Sequence, residues 1–431
     1  MKKLFFALGL TIASLVATSA AAQTAAPASD TSRIVFNSFL FLVCGMVVMF
    51  MAAGFCMLEA GLVRSKNAAA ICLKNLTLYS VAGLMVWLTG YNLIYNVEPG
   101  GFLGAFGPWS GNDADILEVG YAASSDWFFQ MVFVATAASI VSGALAERVR
   151  LWPFLIFTAF LTGLIYPIQA SWVWGKGYLD AAWSFSDFAG SSLVHATGGW
   201  AALAGVLILG PRAGRFDEGG ARPMPGSNLP MATLGVFILW LGWFGFNGGS
   251  QLAMGTIEDV AAVADVLVNT NMAACGGVMA AALMTSFIYR KTDLTIVMNG
   301  AIGGLVSITA GPLAPEIWQA VIIGAIGGVI VTISVPLLDR FKIDDVVGAI
   351  PAHLFCGVWG TMIVPWTNHD ANFIGQAVGV VMIGAFVFSL SLAVWVMLRF
   401  SIGVRVRSAE EETGLDRAEL GLEAYPEFAN R

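Results

Sequence analysis

Charged residues are scarce in this sequence: Lys, Arg, Asp and Glu make up 11% of the 431 residues, whereas 58% are apolar. Soluble domains carry about 25% charged residues, because their surface faces water. The composition therefore excludes a soluble enzyme and a disordered chain. A nucleic-acid-binding protein is excluded as well, since the net charge is −7 and no long basic run is present. A membrane protein with several spans is the class that remains.

Cysteine is also scarce, and its positions argue against a disulfide scaffold. The five residues all lie in long apolar runs, at Cys44, Cys56, Cys72, Cys275 and Cys356. Disulfide frameworks belong to small exported domains with little apolar core. We expect these side chains to be small buried apolar residues, and a metal site is less favoured.

The N-terminus has the form of a secretory signal peptide. Lys2 and Lys3 precede an apolar stretch at 4–16, and the small residues 20–22 provide a cleavage site. We therefore expect residues 1–22 to be removed, which places the start of the first span outside the cytoplasm. The alternative is an uncleaved first helix.

Apolar runs of about 20 residues, the length that crosses a bilayer as a helix, occur eleven times. They lie at 36–61, 70–95, 127–146, 152–172, 190–210, 229–248, 260–289, 293–310, 316–337, 346–366 and 373–400. The predicted fold is an all-α membrane protein with eleven transmembrane helices. Residues 23–407 form this membrane domain, and 408–431 form a polar, acidic tail.

The positions of Lys and Arg orient the chain. With the mature N-terminus outside, sixteen of the 21 Lys and Arg residues fall in cytoplasmic loops and the tail, and only Arg33 and Lys176 fall on the exported side. Positive residues favour the cytoplasmic side of a membrane. We therefore expect the N-terminus outside and, after an odd number of spans, the C-terminus in the cytoplasm.

Two of the three histidines lie inside spans. His369 lies in a short exported loop, where we expect it to be solvated. The other two each follow an aspartate by eight residues, as Asp187 and His195 in the fifth span and Asp345 and His353 in the tenth. The first pair approaches the membrane from outside and the second from the cytoplasm. Five spans followed by five of opposite direction form an inverted repeat, here with a final helix added, as in many transporters.

Geometry predicts that the two histidines meet near the middle of the membrane. Eight helical residues rise about 12 Å, and the hydrocarbon core is about 30 Å thick, so both side chains reach a similar depth. Ionisable side chains at that depth are costly and usually functional; the alternative is two unrelated polar residues bonded to nearby backbone. We expect Asp187 to accept N–H groups at a helix N-terminus rather than to bind a cation, and Asp344 and Asp345 to form the equivalent cap.

Five motifs together resemble the ammonium transporter family, in the bacterial Amt branch of the Amt/Mep/Rh superfamily. They lie at 53–67, 142–149, 187–195, 242–250 and 344–361. The resemblance covers nearly the whole mature chain. It implies an outer recruitment site made of Phe133, Trp174 and Ser250, supported by Asp187.

The same resemblance implies a path through the protein. Stacked phenyl rings of Phe133 and Phe246 would form a gate, and His195 and His353 would line the pore beyond it. An apolar pore disfavours a charge, so ammonium would lose its proton and continue as ammonia, while neutral imidazoles relay the proton. Potassium has no proton to lose. The expected function is an ammonium transporter, not an enzyme, with no catalytic residue, metal or cofactor.

Two other functions remain open. An ammonium sensor would bind the cation and signal through its cytoplasmic tail with little flux. A membrane enzyme would use the two histidines and an aspartate around a metal. Against the enzyme, the histidines lack the H-E-x-x-H or H-x-x-E-H spacing of known hydrolytic sites.

The tail extends the resemblance. Residues 414–416 and 423–426 are similar to the family tail, which docks against neighbouring subunits and in some members contacts PII-type signal proteins. Leu420 departs from the pattern, because the family more often has a histidine there. The alternative is a solvated acidic tail. The resemblance thus implies a homotrimer in the lipid bilayer of the bacterial inner membrane, with ammonium or its analogue methylammonium as substrate.

Overall fold

Eleven apolar helices make up most of the computed structural model, which describes residues 29–428. They are α1 (Asp30–Leu62), α2 (Ser65–Tyr95), α3 (Ala123–Ala144), α4 (Leu151–Ser171), α5 (Ser191–Leu209), α6 (Leu229–Gly249), α7 (Ile257–Tyr289), α8 (Leu294–Thr309), α9 (Ile317–Arg340), α10 (Ile350–Trp366) and α11 (Phe373–Ser401). The signal peptide predicted for residues 1–22 lies outside the described residues.

Each helix lies at one of the predicted spans. Among the described residues, nine are long and apolar enough to cross a membrane, and α8 and α10 are shorter apolar helices. The predicted all-α membrane protein is confirmed, while the number of crossings and their orientation stay predictions. Short elements occupy the loops and the tail: helical turns at Ile116–Val119, Tyr178–Trp183, Ser408–Thr413, Asp416–Leu420 and Pro426–Phe428, and a two-stranded antiparallel hairpin of β1 (Phe216–Asp217) and β2 (Gly220–Ala221).

The helices α3 and α5 occupy the centre of the protein. Within their most apolar windows, 89% of α3 and 78% of α5 is buried inside the protein, against 33% of α7 and 28% of α11. The outer helices therefore leave most of their apolar side chains facing outward, where lipid would contact them. A path through the middle of the protein must pass between α3, α5 and their neighbours.

The first turns of α5 and α10 are wider than α-helical turns. Residues Ser191–Ala196 and Ile350–Phe355 form π-helical turns, and each contains one of the two buried histidines. Gly190 precedes the first turn with φ +104°, a region that L side chains avoid. Pro351 lies in the second turn and has no N–H to donate. Such turns concentrate at functional sites, and they also occur at Val86–Gly90, Leu161–Ile165 and Asp416–Leu420. At the starts of α5 and α10 they coincide with the repeated sequence pattern.

Small residues let α7, α8 and α9 approach one another closely. A Cβ atom at Gly277 of α7 would collide with the Gly300 carbonyl of α8, and one at Gly324 of α9 would collide with the Ala273 carbonyl of α7. In lipid, helices associate by such close packing, because burial from water offers no driving force between them.

The cysteines are free thiols, but the expectation that all are buried is wrong. Cys356 is buried, Cys44, Cys56 and Cys275 are partly exposed, and Cys72 is exposed. The reason is that an apolar thiol on a membrane protein can face lipid as readily as the protein interior.

The tail packs against the N-terminal end of α2 in its own chain. The Asp416 carboxylate accepts the N–H groups of Ala69 and Ala70 in α2, at 3.1 and 2.8 Å. The Leu415 N–H donates to the side-chain oxygen of Asn67 at 2.9 Å. The alternative of a solvated tail is therefore wrong for this segment, and docking on neighbouring subunits stays a prediction.

Candidate functional site

The start of α5 is held by one carboxylate. Asp187 is buried, and its two oxygens accept four backbone N–H groups, those of residues 190–193, at 2.8–3.0 Å. The first N–H groups of a helix have no partner within it, so this side chain supplies what the helix lacks. Burial raises the pKa of Asp187 to about 6, although the four N–H donors act in the opposite direction.

The start of α10 has a related cap, but only one of the two neighbouring aspartates binds the N–H groups of the helix. Asp345 accepts the N–H groups of Gly348 and Ile350 at 3.1 and 2.6 Å. Asp344 instead accepts two bonds from the Arg212 guanidinium, both at 2.9 Å. The expectation that both aspartates cap the helix is therefore wrong for Asp344, because an arginine 132 residues away binds its carboxylate.

Asp344 belongs to a largely buried set of charged side chains, here called the inner charge cluster after the predicted orientation: Arg64, which is partly exposed, Glu147, Arg212 and Asp344. Arg212 bridges Asp344 and Glu147, which lies 3.4 Å away, and Glu147 also pairs with Arg64. Burial alone would raise the pKa of Asp344, but the Arg212 guanidinium outweighs it and lowers that pKa to about 2. The cluster joins the segments that follow α1, α3 and α5 to the segment that precedes α10.

The structure brings His195 and His353 together in the interior. Their Nδ1 atoms are 3.3 Å apart, and the two side chains are 0% and 3% exposed. One ring must therefore donate and the other accept, which two neutral imidazoles can do. His195 also stacks on Trp243, at 4.9 Å between ring centroids, and its Nε2 atom has no hydrogen-bond partner among the described residues.

Two phenyl rings lie on one side of the histidine pair. Phe133 and Phe246 are stacked with centroids 3.9 Å apart and planes inclined by 22°, and both are buried. The Phe246 centroid is 5.2 Å from that of His195. Rings in van der Waals contact leave no space between them, so a molecule that reaches the histidines from this side must displace a ring.

Beyond the phenyl rings, a cavity of about 730 Å³ opens toward one surface. It is here called the outer vestibule after the predicted orientation of the chain. Phe133, Trp174, Ser250 and Asp187 all contribute to its lining. The Phe133 and Trp174 rings are nearly perpendicular, with centroids 6.1 Å apart. The Ser250 hydroxyl donates to the Phe246 carbonyl at 2.8 Å, so its oxygen lone pairs stay available to accept from a ligand.

The structure adds a carboxylate to the outer vestibule that the sequence motifs did not single out. Asp126 is buried in the first turn of α3, and it accepts the Tyr91 hydroxyl at 2.5 Å and the Gln130 amide at 3.2 Å. Asp126, Gln130 and Phe133 follow at spacings of four and three, which places them on one face of α3. That spacing is the signal in the sequence that could have identified Asp126.

The described residues contain no group of three or more His, Cys, Asp or Glu side chains that could hold a metal ion. The third histidine, His369, is exposed in the loop before α11. The buried arrangement is therefore a line of aromatic rings that leads from an acidic vestibule to two imidazoles. Such a line can attract a small cation, restrict its passage and exchange a proton.

Comparison with known proteins places this chain in a family. The family described as "Ammonium Transporter Family" matches residues 39–425. A putative ammonium transporter of Synechocystis is 41% identical over 96% of this chain and 95% of its own length, and ammonium transporter Amt2 of Archaeoglobus fulgidus is 38% identical over 90% and 87%.

Solved structures agree with these relatives. The structure titled "Sensor Amt Protein" has a TM-score of 0.85 and 33% identity, covering 91% of this chain and 100% of that one. Mep2 of Candida albicans has a TM-score of 0.80 and 25% identity, covering 89% of each chain. The chain therefore belongs to the ammonium transporter family.

Proposed function

We propose that this protein takes up ammonium from the outer vestibule and passes it through the histidine-lined centre as ammonia, with the proton relayed separately. The observation that carries the proposal is the continuous order of the outer vestibule, the stacked rings of Phe133 and Phe246, and the contact between His195 and His353. The vestibule, the phenyl rings and the histidines each have a separate physical role along this route.

The outer vestibule suits a small cation. Aromatic faces attract a cation within about 6 Å, and Phe133 and Trp174 offer two at right angles. Ser250 can accept one N–H bond, and Asp187 and Asp126 add negative charge to the lining. In this reading Asp187 supports the site through the start of α5.

The centre suits a neutral molecule. Phenyl rings and buried imidazoles offer no compensation for a full charge, so a cation that passes them must neutralise or turn back. Ammonium neutralises by releasing a proton, and potassium cannot. The hydrogen-bonded imidazoles of His195 and His353 can accept that proton on one ring and release it from the other.

The same proposal includes the arrangement in the membrane. Eleven crossings, a 5+5 inverted repeat, an external N-terminus and a cytoplasmic C-terminus fit the matched turns at the starts of α5 and α10. We further propose a signal peptide at residues 1–22, a homotrimer in the bacterial inner membrane, and a PII-type protein as a partner on the cytoplasmic face.

A second candidate is an ammonium sensor that signals through the tail with little flux. One observation favours it: the solved structure titled "Sensor Amt Protein" is similar to this chain over 91% of its length. The two functions share a binding site and differ in flux, so binding and flux must be measured on the same preparation.

Current from proteoliposomes on a solid-supported membrane tests the proposal. A pulse of ammonium should evoke a current in liposomes with protein, whereas an equal pulse of potassium should not. Ammonium binding measured by calorimetry on the same protein completes the comparison. Binding without current, and without uptake of labelled methylammonium, would support the sensor and contradict the transporter.

A further inference from the structure

A buried carboxylate lies beyond the histidine pair, on the side away from the outer vestibule. Glu59 in α1 is 1% exposed, although ionisable side chains inside a membrane span are costly. Glu59 has no role in the proposed passage of ammonium through the outer vestibule and the histidine pair. A carboxylate inside a membrane span is a candidate functional group. The residues around Glu59 indicate what it can do.

The helix α1 places Glu59 one turn beyond Phe55, whose ring packs near His353. The ring of Phe55 lies 6.2 Å from that of His353, centroid to centroid. Glu59 follows Phe55 by four residues, so it lies on the same helix face about 6 Å further along. A Cβ atom added at Gly143 would lie 3.4–3.5 Å from Cγ and Cδ of Glu59. The same added atom would meet the side chain of Val347, just before α10.

One oxygen of this carboxylate is bonded and the other is free. Oε2 accepts the Ser142 hydroxyl at 2.7 Å and the Asn75 amide at 3.1 Å. Oε1 is buried and has no hydrogen-bond partner among the described residues. An unpaired buried oxygen of this kind is costly, which favours a transient partner such as water or ammonia.

A buried lysine balances the charge from the opposite side. Lys74 in α2 is 5% exposed, and its ammonium donates to the Ser142 carbonyl at 2.8 Å. Ser142 therefore lies between Lys74 and Glu59, and the described residues show no direct ion pair between these two side chains within 4 Å. A direct ion pair would occupy the carboxylate, whereas this indirect arrangement leaves Oε1 free to exchange a proton.

We propose that Glu59 is the proton acceptor on the inner side of the histidine pair, an inference that rests on the proposed transport function. The proton that His353 receives from His195 leaves the resulting imidazolium through intervening water, so one N–H bond breaks, an O–H bond forms at Glu59 Oε1, and His353 returns to the neutral imidazole. That O–H bond then breaks as an N–H bond forms on ammonia. The products are ammonium on the inner side and the restored carboxylate, with no change of oxidation state.

Glu59→Gln separates proton transfer from structure. Glutamine has the same size and its carbonyl oxygen can still accept from Ser142 and Asn75, but it cannot take up a proton. We expect the peak ammonium current in proteoliposomes to fall about 10²- to 10⁴-fold, the scale of a lost proton-transfer group. The half-saturating ammonium concentration should stay within about twofold, because the outer vestibule is intact.

Two companion variants sharpen the test. Glu218→Gln makes the same change at an exposed residue of the loop between α5 and α6 and should retain the wild-type current. Glu59→Asp keeps a carboxylate and should recover part of the lost current. Where Glu59→Gln does not fold, judged by size-exclusion chromatography, Glu59→Asp against Glu59→Asn gives the same comparison of acid with amide.

The outcomes distinguish a failure of the proposed role of Glu59 from a failure of the proposed transport function. If the wild type carries an ammonium current and Glu59→Gln carries the same current, the proposed role of Glu59 is wrong and transport stands. Equal currents in Glu59→Asn and Glu59→Asp would lead to the same conclusion. No ammonium current in the wild type overturns the proposed function, and the inference about Glu59 with it.

Discussion

Replacing Asp344 by Asn tests the inner charge cluster, which holds the inner ends of α1, α3 and α5 to the start of α10. The side chain is 1% exposed, and its pKa of about 2 lies below the ordinary value of 3.8. That difference corresponds to about 2 kcal/mol of stabilisation at neutral pH. Because the pKa is lowered, the stabilisation is complete above about pH 4 and is lost as the pH falls toward 2.

The loss of stability can also be estimated from Arg212, the charged partner that remains after Asp344 is replaced. Breaking a buried ion pair typically costs about 3–5 kcal/mol, since one charge is left uncompensated. Arg212 keeps Glu147 at 3.4 Å after the change, so its charge is not left alone. The smaller figure therefore applies, and we expect Asp344→Asn to lower the free energy of unfolding by about 2 kcal/mol.

Unfolding of the detergent-solubilised protein by SDS at pH 7, followed by tryptophan fluorescence, measures this loss. The matched control is Asp217→Asn in the β1–β2 hairpin, which breaks an exposed pair with Arg222 and should leave the unfolding midpoint unchanged. Equal midpoints for Asp344→Asn and the wild type would refute the reasoning, because the cluster would then contribute nothing.

Three further changes probe the outer vestibule, the start of α5 and the tail. Trp174→Ala removes a cation–π contribution of about 0.5–2 kcal/mol, so the half-saturating ammonium concentration for current should rise about 2- to 30-fold. Asp187→Asn places an amide NH2 group among four N–H donors, so the free energy of unfolding in SDS should fall by about 1–3 kcal/mol. Asp416→Ala removes the acceptor of two α2 N–H groups, so timed trypsin digestion should cleave the tail faster.

Each of these has a matched control. Trp318→Ala changes an exposed tryptophan outside the outer vestibule and should leave the half-saturating concentration unchanged. Asp293→Asn changes another helix cap, at the start of α8, where Asn serves as well as Asp and stability should be kept. Glu427→Ala alters an exposed tail residue and should leave the digestion rate unchanged. A variant that behaves like its control contradicts the corresponding argument.

The positions of the helices were predictable because lipid imposes a simple local rule. A span must be long and apolar, and that property can be counted along the sequence. The eight-residue spacing from Asp187 to His195, and from Asp345 to His353, depends on chain geometry alone. The closeness of the two histidines therefore followed from helix rise and membrane thickness.

The partners of buried polar groups were not predictable in the same way. Asp344 and Asp345 are neighbours in sequence, and only the distant Arg212 distinguishes their roles. Glu59 was missed for a similar reason, because its importance depends on Ser142 and Asn75 from other helices. Asp126 did have a local signal, its spacing from Gln130 and Phe133, but its contact with Tyr91 did not. Local pattern does not specify contacts between different helices, whereas the fold does.

The wider turns that carry the histidines were likewise absent from the prediction. A π-helical turn depends on how the first N–H groups of α5 and α10 find acceptors, which involves Asp187 and Asp345 together with the packing of both helices. Gly190 and Pro351 mark these turns in the sequence, but either residue is common at ordinary helix starts.

The central claim is that ammonia and its proton pass by way of His195 and His353. Ammonium and potassium pulses on proteoliposomes that contain the wild type, His195→Ala, His353→Ala or the exposed control His369→Ala test it most directly. We predict an ammonium current without a potassium current in the wild type and the control, and an altered ammonium current in both buried variants. Wild-type ammonium and potassium responses in both buried variants would contradict the account.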